Sequence, residues 1–411
     1  MAGPFSPVAI GPLRLRNRIV KPATFEGMCP GGLPSEALLE HHRAVAAGGA
    51  AMTTVAYASV SPEGRSYATQ LLVRPEALPA LRRLTDAVHR EGAAVSLQIG
   101  HCGDFADPRV TGARPLGPSR RLDLYHRAVA RPMVDRDIER VVDDFARTAG
   151  LAREAGFDAV EPHFGHGYLV SQFLSPWTNR RRDGWGGSLE NRMRLAVAVL
   201  RASRAAVGPE FPVVPKVNLS DGFAGGLGVE EAVEVARRLE QEGATALALS
   251  GGFVSRAPLY MLRGDVPVEA MARAQPGAWA RMGLRLFGRL AVPAYPFEEG
   301  FFLPEARRVR AAVRLPLLLL GGLRSRIGLE RAVAEGFDLL GMGRALLHDP
   351  ELPMRLERGE VAASGCVPCN ECIAEMDRGG VRCSRAGGAP GPDAPAPTTR
   401  KWGVRAEARP R

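Results

Sequence analysis

The sequence predicts a (β/α)8 barrel, an α/β fold, with an insertion after strand six and a small C-terminal cysteine-rich extension. Three observations support this: eight short apolar segments, amphipathic stretches between them, and glycine or polar residues where the segments end. Near-continuous apolar segments are typical of parallel strands that are buried on both faces. Eight strand–helix units favour a closed barrel over an open doubly wound sheet. The segments lie near residues 19–23, 51–56, 94–99, 159–163, 213–217, 246–250, 317–320 and 339–342.

The intervening stretches have the apolar spacing of helices that pack one face on a sheet. The clearest of them cover residues 75–90, 137–154, 189–207 and 229–241. The carboxyl ends of barrel strands converge on one mouth, where active sites form. We therefore expect the residues that end the predicted strands to lie around this mouth: Gln98, His163, Lys216, Gly251, Gly321 and Gly343.

The chain divides into three predicted regions. Residues 1–360 form the barrel, 361–386 the cysteine-rich extension, and 387–411 a tail whose Pro, Gly, Ala and Arg content predicts disorder. Within the barrel, residues 252–303 are too long for a plain loop and contain apolar helical stretches at 269–273 and 279–290. We interpret this insertion as a lid or specificity element over the mouth, with packing on the barrel's flank as the alternative.

Composition limits the possible partners. The formal charge is +10, but the basic residues are scattered and aromatic residues are few, so we expect no nucleic-acid partner. The N-terminus lacks a signal-peptide pattern and no apolar run reaches a membrane span, so we expect a cytoplasmic protein with no membrane partner. The oligomeric state is left open, a homo-oligomer included. Only Lys21, Lys216 and Lys401 are lysines, and two of these lie on or beside predicted strands.

The most informative stretch runs from residue 157 to 192, FDAVEPHFGHGYLVSQFLSPWTNRRRDGWGGSLENR. A buried strand ends at His163, and a glycine-rich turn then presents His166 and Tyr168. Two imidazoles can hold a carbonyl oxygen, and a phenol can deliver a proton. Taken alone, the same residues also suit a metal site, loop histidines and a packing tyrosine. The cluster and the run that follows it resemble the Old Yellow Enzyme family of FMN-dependent ene-reductases.

The resemblance implies a reaction and a substrate class. NAD(P)H would reduce FMN, and the substrate would be an α,β-unsaturated ketone, aldehyde or ester. His163 and His166 would bind its carbonyl, and Tyr168 would protonate the α-carbon. Pro162, which precedes His163, removes a backbone donor from the strand and leaves the posture of that histidine open.

The resemblance also implies the residues that contact FMN. The Gln98 amide would meet the pyrimidine edge, and Lys216 would face N1–O2 of the flavin, where its charge stabilises the anionic reduced form. Glycines and an arginine after strands seven and eight would cradle the phosphate. The motif NRIVKPATFEGM would line the flavin, with either Thr24 near O4 or that hydrogen bond missing. The remaining implied contacts are Pro22, Ala23, Phe25, Ala56, Gly321, Gly322, Gly343 and Arg344.

Four cysteines in the extension form a candidate ligand set: Cys366, Cys369, Cys372 and Cys383. Their spacing is similar to that of the related 2,4-dienoyl-CoA reductases, which carry a [4Fe–4S] cluster after the barrel but have one more residue between the second and third cysteine. Zinc or unoccupied thiols are the alternatives.

Two other functions stay open at this stage. The same FMN site can run oxidatively, as a dehydrogenase or demethylase. In a different class, the cysteines would dominate and the barrel would be the scaffold of a metal-binding or electron-transfer protein.

Overall fold

The computed structural model describes residues 3–275, 277–376 and 378–386, and its centre is a closed barrel of eight parallel strands. The predicted fold is confirmed, and the tail expected to be disordered lies outside the described residues. The strands follow one another around the barrel in chain order. They are β1 Ile19–Lys21, β2 Met52–Ser59, β3 Ala94–Gly100, β4 Ala159–Phe164, β5 Lys216–Asn218, β6 Leu247–Ser250, β7 Leu317–Leu319 and β8 Leu339–Gly341.

Eight helices, one after each strand, surround the barrel. Serine side chains cap the first turn of three of them, α1, α4 and α7, each accepting a backbone N–H that the helix leaves free. The helices are α1 Glu36–Ala47, α2 Leu78–Arg90, α3 Asp135–Glu154, α4 Leu189–Val207, α5 Val229–Gln241, α6 Leu303–Ala312, α7 Arg326–Ala334 and α8 Arg344–His348. The fifth strand starts later than the sequence predicts, at Lys216, because Pro215 cannot donate to a ladder.

Alternation along the strands separates two buried layers. Val20, Met52, Ala94, Ala248 and Leu318 fill the barrel interior and form one apolar cluster. An N-terminal hairpin, Val8–Ile10 paired with Leu13–Leu15, adds Ile10 and Leu15 to this cluster. The larger apolar cluster lies between strands and helices. The interior near the amino ends is therefore solid, and polar side chains concentrate toward the carboxyl ends.

Two additional segments follow the carboxyl ends of barrel strands. A three-stranded sheet follows β3, made of Leu116–Gly117, Arg121–Asp123 and Ala128–Pro132. The insertion after β6 contains the helices Val268–Ala274 and Ala278–Ala291, which cover the two predicted apolar stretches. Its role as a lid stays a prediction. No helix in the described residues is both long and apolar enough to cross a bilayer.

Candidate active site

Three of the predicted residues lie on neighbouring strands at the mouth. Gln98 on β3 is level with Glu161 on β4, and His163 on β4 is level with Lys216 on β5. These positions have the same parity along their strands as Ala94 and Ala248, which face the barrel interior. The register therefore brings the amide, the ammonium and the first imidazole together on the inner face of the barrel.

Glu161 joins the two residues predicted to contact the flavin pyrimidine. Its Oε1 accepts from the Gln98 amide at 2.6 Å and lies 2.9 Å from the Lys216 ammonium. All three side chains are buried. A buried ammonium requires an opposite charge nearby, so Glu161 both neutralises Lys216 and fixes the orientation of the Gln98 amide.

The turn after β4 presents the two histidines at nearly a right angle. Their ring centroids are 4.9 Å apart, with an interplanar angle of 86°. His166 has a positive φ of 60°, and its backbone N–H donates to Asn218 Oδ1 at 2.9 Å. A Cβ on Gly167 would come within 2.3 Å of the Phe253 ring, so the close approach of these segments requires glycine.

Burial keeps both imidazoles neutral. It lowers the pKa of His166 to about 3 and that of His163 well below its ordinary value, and the charge of Lys216 acts in the same direction. His163 Nδ1 accepts the Gly165 N–H at 3.3 Å, which places its proton on Nε2. His166 Nε2 lies 2.7 Å from the Ser250 hydroxyl. Each neutral ring therefore keeps one N–H with which it can donate.

Tyr168 lies beside this pair, at 4.9 Å between its ring centroid and that of His163. Its hydroxyl donates to the Tyr57 hydroxyl at 3.0 Å, and Tyr57 in turn lies 2.7 Å from Ser66 Oγ. Burial raises the pKa of Tyr168 above its ordinary value, so the phenol is protonated at neutral pH. The thiol of Cys102 lies 3.4 Å from Ser66 Oγ, and burial raises its pKa to about 11.

The first-strand motif turns its side chains in different directions. The Thr24 hydroxyl donates to the Pro22 carbonyl at 3.3 Å. Phe25 stacks on Tyr67 with centroids 4.7 Å apart, and Ala23 packs against the aromatic cluster around Tyr57. Ala56 is buried, and its N–H donates to Glu26 Oε2 at 2.9 Å. A contact between this segment and flavin O4 stays a prediction.

The glycines predicted to cradle a phosphate differ from one another. A Cβ on Gly321 would come within 2.8 Å of the Phe302 backbone nitrogen, and one on Gly322 within 2.6 Å of the Phe297 ring, so close packing already requires both glycines. A Cβ on Gly343 would meet only the Pro22 ring, at 3.8 Å. Gly343 therefore leaves space on its Cβ side, while its carbonyl accepts the Leu346 N–H at 3.0 Å.

Arg344 has protein partners in this structure. Its guanidinium donates to the carbonyls of Leu262 and Arg263 and to the Asn370 side chain. Asn370 itself donates to the carbonyls of Arg263 and Asp265. Arg344 thus ties the insertion and the cysteine-rich extension to β8, and its role toward a phosphate stays a prediction.

The four cysteines of the extension gather near Arg344. They are unpaired thiols that are close enough to influence one another's pKa, and burial raises that of Cys372 to about 12. Cys383 Sγ lies 3.5 Å from His348 Nδ1. Among the described residues, three ligand atoms lie within 4.8 Å of one another only in Glu26, His41 and His42. A cluster or zinc on the cysteines stays a prediction.

Sequence reasoning missed Tyr57, Ser66, Glu161 and Ser250 as partners of the predicted residues. Glu161 carried a usable signal, because a carboxylate inside an apolar strand requires a buried cation, and Lys216 is the lysine of a neighbouring strand. Tyr57 and Ser66 carried none, because their meeting depends on how the loop after β2 folds back.

The chain is similar to known proteins over most of its length. Residues 4–252 match the NADH:flavin oxidoreductase / NADH oxidase family. The chain is 45% identical to the 4,4'-dithiodibutanoate disulfide reductase of Rhodococcus erythropolis, over 92% of this chain and 94% of the relative. It is 30% identical to the multifunctional alkene reductase/demethylase OYE of Caballeronia cordobensis, over 89% of this chain.

The chain spans 50% of the length of the Caballeronia cordobensis protein. Among solved structures, the Old Yellow Enzyme homologue from Zymomonas mobilis has the same fold, with a TM-score of 0.70 and 22% identity over 89% of this chain and 96% of that one. The predicted resemblance and enzyme class are confirmed. The chain belongs to the NADH:flavin oxidoreductase / NADH oxidase family.

Proposed function

We propose that this protein uses NAD(P)H and FMN to reduce the activated C=C bond of α,β-unsaturated carbonyl compounds. The observation that carries the proposal is the convergence of two neutral imidazoles and one protonated phenol beside the buried Gln98–Glu161–Lys216 group. Two hydrogen-bond donors and one acid next to a flavin site meet the needs of an enone better than those of a metal ion, for which Tyr168 would have no role.

The residues at the mouth fit FMN. Lys216 supplies a buried ammonium paired with Glu161, Gln98 supplies an amide that Glu161 orients, and Gly343, after β8, leaves space on its Cβ side. When bound, FMN takes a hydride from NAD(P)H and passes it to the substrate's β-carbon. The oriented ammonium and amide would hold the pyrimidine end of that ring system.

His163 and His166 would bind the substrate carbonyl. His163 donates through Nε2–H, because its Nδ1 accepts from Gly165. His166 would donate through Nδ1–H, with the Ser250 hydroxyl donating to its Nε2. Hydrogen bonds to the carbonyl oxygen stabilise the negative charge that develops there when the β-carbon accepts hydride.

Tyr168 would protonate the α-carbon, and Tyr57 would restore its proton. The raised pKa of Tyr168 keeps the phenol protonated until the α-carbon becomes basic. Once Tyr168 has given up its proton, the neighbouring Tyr57 hydroxyl can rotate to donate, with Ser66 next in the chain. This chain of hydroxyls leads from the site into the loop after β2.

Tyr168→Phe tests the proposal. Reduction of the flavin by NAD(P)H should be unchanged, while reoxidation by an enone should slow by about 10²–10⁴-fold, as expected on losing a positioned general acid. Stopped-flow absorbance of the two half-reactions measures this. Tyr295→Phe, in the insertion, is the matched control and should leave both rates unchanged. Enone reduction at the wild-type rate in Tyr168→Phe, with chemistry rate-limiting, would contradict the assignment.

A second candidate is reduction of an aliphatic disulfide. It is favoured by the 45% identity to a disulfide reductase of nearly the same length. Hydride transfer to one sulfur would break the S–S bond, and one proton would convert the released thiolate to a thiol. A thiolate is a stable leaving group, since thiols such as cysteine ionise with a pKa of about 8.5, so it needs no positioned acid. With 4,4'-dithiodibutanoate as acceptor, turnover that is insensitive to Tyr168→Phe would support this candidate.

A further inference from the structure

The helix Ala278–Ala291 of the insertion exposes a broad apolar face. Trp279 and Leu290 are each 86% exposed, and Met282, Leu286 and Phe287 are each more than half exposed. At 100° per residue these five side chains fall within one arc of the helix surface. Ile327 on α7, in contrast, is an exposed apolar residue that stands alone on its helix, which is ordinary for a protein surface.

The opposite face of this helix already has a partner. Gly288 packs against Val268 of the neighbouring helix, where a Cβ would come within 3.2 Å of the valine methyl groups. Arg285 forms an ion pair at 2.7 Å with Glu269, which belongs to the neighbouring helix Val268–Ala274. The exposed arc is therefore the side that points away from the protein.

The charge on this helix has one sign. It carries Arg281, Arg285 and Arg289 and contains no acidic residue. The neighbouring helix Val268–Ala274 adds Glu269 and Arg273, which cancel each other. The helix pair therefore has a net charge of +3, and Arg289 lies at the edge of the apolar arc.

We propose that the helix Ala278–Ala291 lies in the interface of an anionic lipid bilayer, with its apolar arc among the acyl chains and Arg289 at the head groups. Tryptophan, phenylalanine and leucine on one face of a helix that carries arginines and no acidic residue are the composition of an interfacial helix. Fourteen residues give it a length of about 21 Å, enough to lie along the surface without crossing it. The Arg289 side chain can reach the phosphates while its stem stays on the apolar face.

A second copy of the chain fits this face less well. A two-fold contact would bring one net charge of +3 against another while burying the apolar arcs, and like charges across an interface disfavour association. An anionic lipid surface instead attracts the same arginines. The expectation of no membrane partner rested on the absence of a spanning segment, and surface binding does not need one.

Vesicle co-sedimentation of the full chain tests this inference. Vesicles of phosphatidylcholine with phosphatidylglycerol should bind the protein, with a blue shift of Trp279 fluorescence, and vesicles of phosphatidylcholine alone should bind it more weakly. Trp279→Ser combined with Leu290→Ser should weaken binding by about 10- to 100-fold, because two apolar side chains are lost from the interface. Arg289→Gln should weaken binding about five-fold, and only on anionic vesicles.

Ile327→Ser is the matched control, since Ile327 is 78% exposed on a different helix. It should leave binding unchanged, and thermal unfolding should be unaffected in all these variants. Absence of binding to anionic vesicles, or equal binding by the double variant, would overturn the proposal. A wild-type dimer that the double variant dissociates, with no vesicle binding, would assign the face to a second copy instead.

Discussion

Two buried Lys–Glu pairs lie at the carboxyl ends of the barrel strands, and they contain two of the three lysines in the chain. Lys216 and Glu161 belong to β5 and β4 and face the barrel interior. Lys21 ends β1, level with Thr53 of β2, whose hydroxyl contacts His42 of α1. The first pair therefore lies inside the barrel, and the second lies between the barrel wall and a helix.

The two pairs lie on opposite sides of the barrel wall because successive residues of a strand point to opposite faces. Val20 points inward with Met52, so the next residues, Lys21 and Thr53, point outward. Lys21 also donates to the Thr54 carbonyl at 3.2 Å, and Glu26 Oε2 accepts the Ala56 N–H at 2.9 Å. The outer pair thus has protein partners on both charges. The inner pair lies where we propose that FMN binds.

The largest expected effect comes from breaking the outer pair. Lys21→Met leaves the Glu26 carboxylate buried without a cation, which should lower the free energy of unfolding by about 3–5 kcal/mol. Denaturant or thermal unfolding of the holoenzyme measures the loss. Lys21→Met with Glu26→Gln should recover most of it, because the pair is then neutral. A stable single variant would show that Glu26 takes up a proton or finds another cation.

A smaller effect is expected on FMN affinity, which should depend on the inner pair and not on the outer pair. The neutral pair Lys216→Met with Glu161→Gln removes the inner charges together, and it should weaken FMN binding by about 10- to 100-fold, the value of a charged hydrogen bond. The neutral outer pair, Lys21→Met with Glu26→Gln, is the matched control and should bind FMN as the wild type does. Fluorescence titration of each apoprotein with FMN measures both affinities. Equal FMN affinities for the two double variants would show that Lys216 does not contribute to the flavin site.

The sequence predicts much of this arrangement because its signals are local. Apolar segments mark the strands, and His163, His166 and Tyr168 lie within six positions of one another, so their proximity follows from the chain itself. The direction of Lys21 was not predictable with the same certainty, since a shift of one residue in the strand reverses the face. The engagement of Arg344 by Leu262 and Asn370 depends on how two distant segments fold over α8.

The smallest expected effect is on the pH dependence of the free energy of unfolding. Each Lys–Glu pair has a nearby histidine that contributes to this dependence. Burial, and then the neighbouring lysine, lowers the pKa of His42 beside Lys21 and of His166 near Lys216 below the ordinary 6.5. Above pH 6.5 both rings are neutral whether the chain is folded or unfolded, so stability does not depend on them. Below pH 6.5 only the unfolded chain takes the proton, so each ring should cost about 1.4 kcal/mol per pH unit until its folded pKa is reached. For His166 that loss continues down to about 3.

Thermal unfolding from pH 7 to pH 5 tests this for both rings. His42→Gln and His166→Gln should each reduce the loss of unfolding free energy by about 1.4 kcal/mol per pH unit, since glutamine does not titrate. The two changes should add, because the histidines belong to separate pairs. If FMN occupies the mouth, the effect of His166→Gln should differ between the apoprotein and the holoprotein, whereas that of His42→Gln should not. A His42→Gln profile parallel to the wild type would mean that His42 is already protonated in the folded protein, with Glu26 as its counter-ion 3.5 Å away.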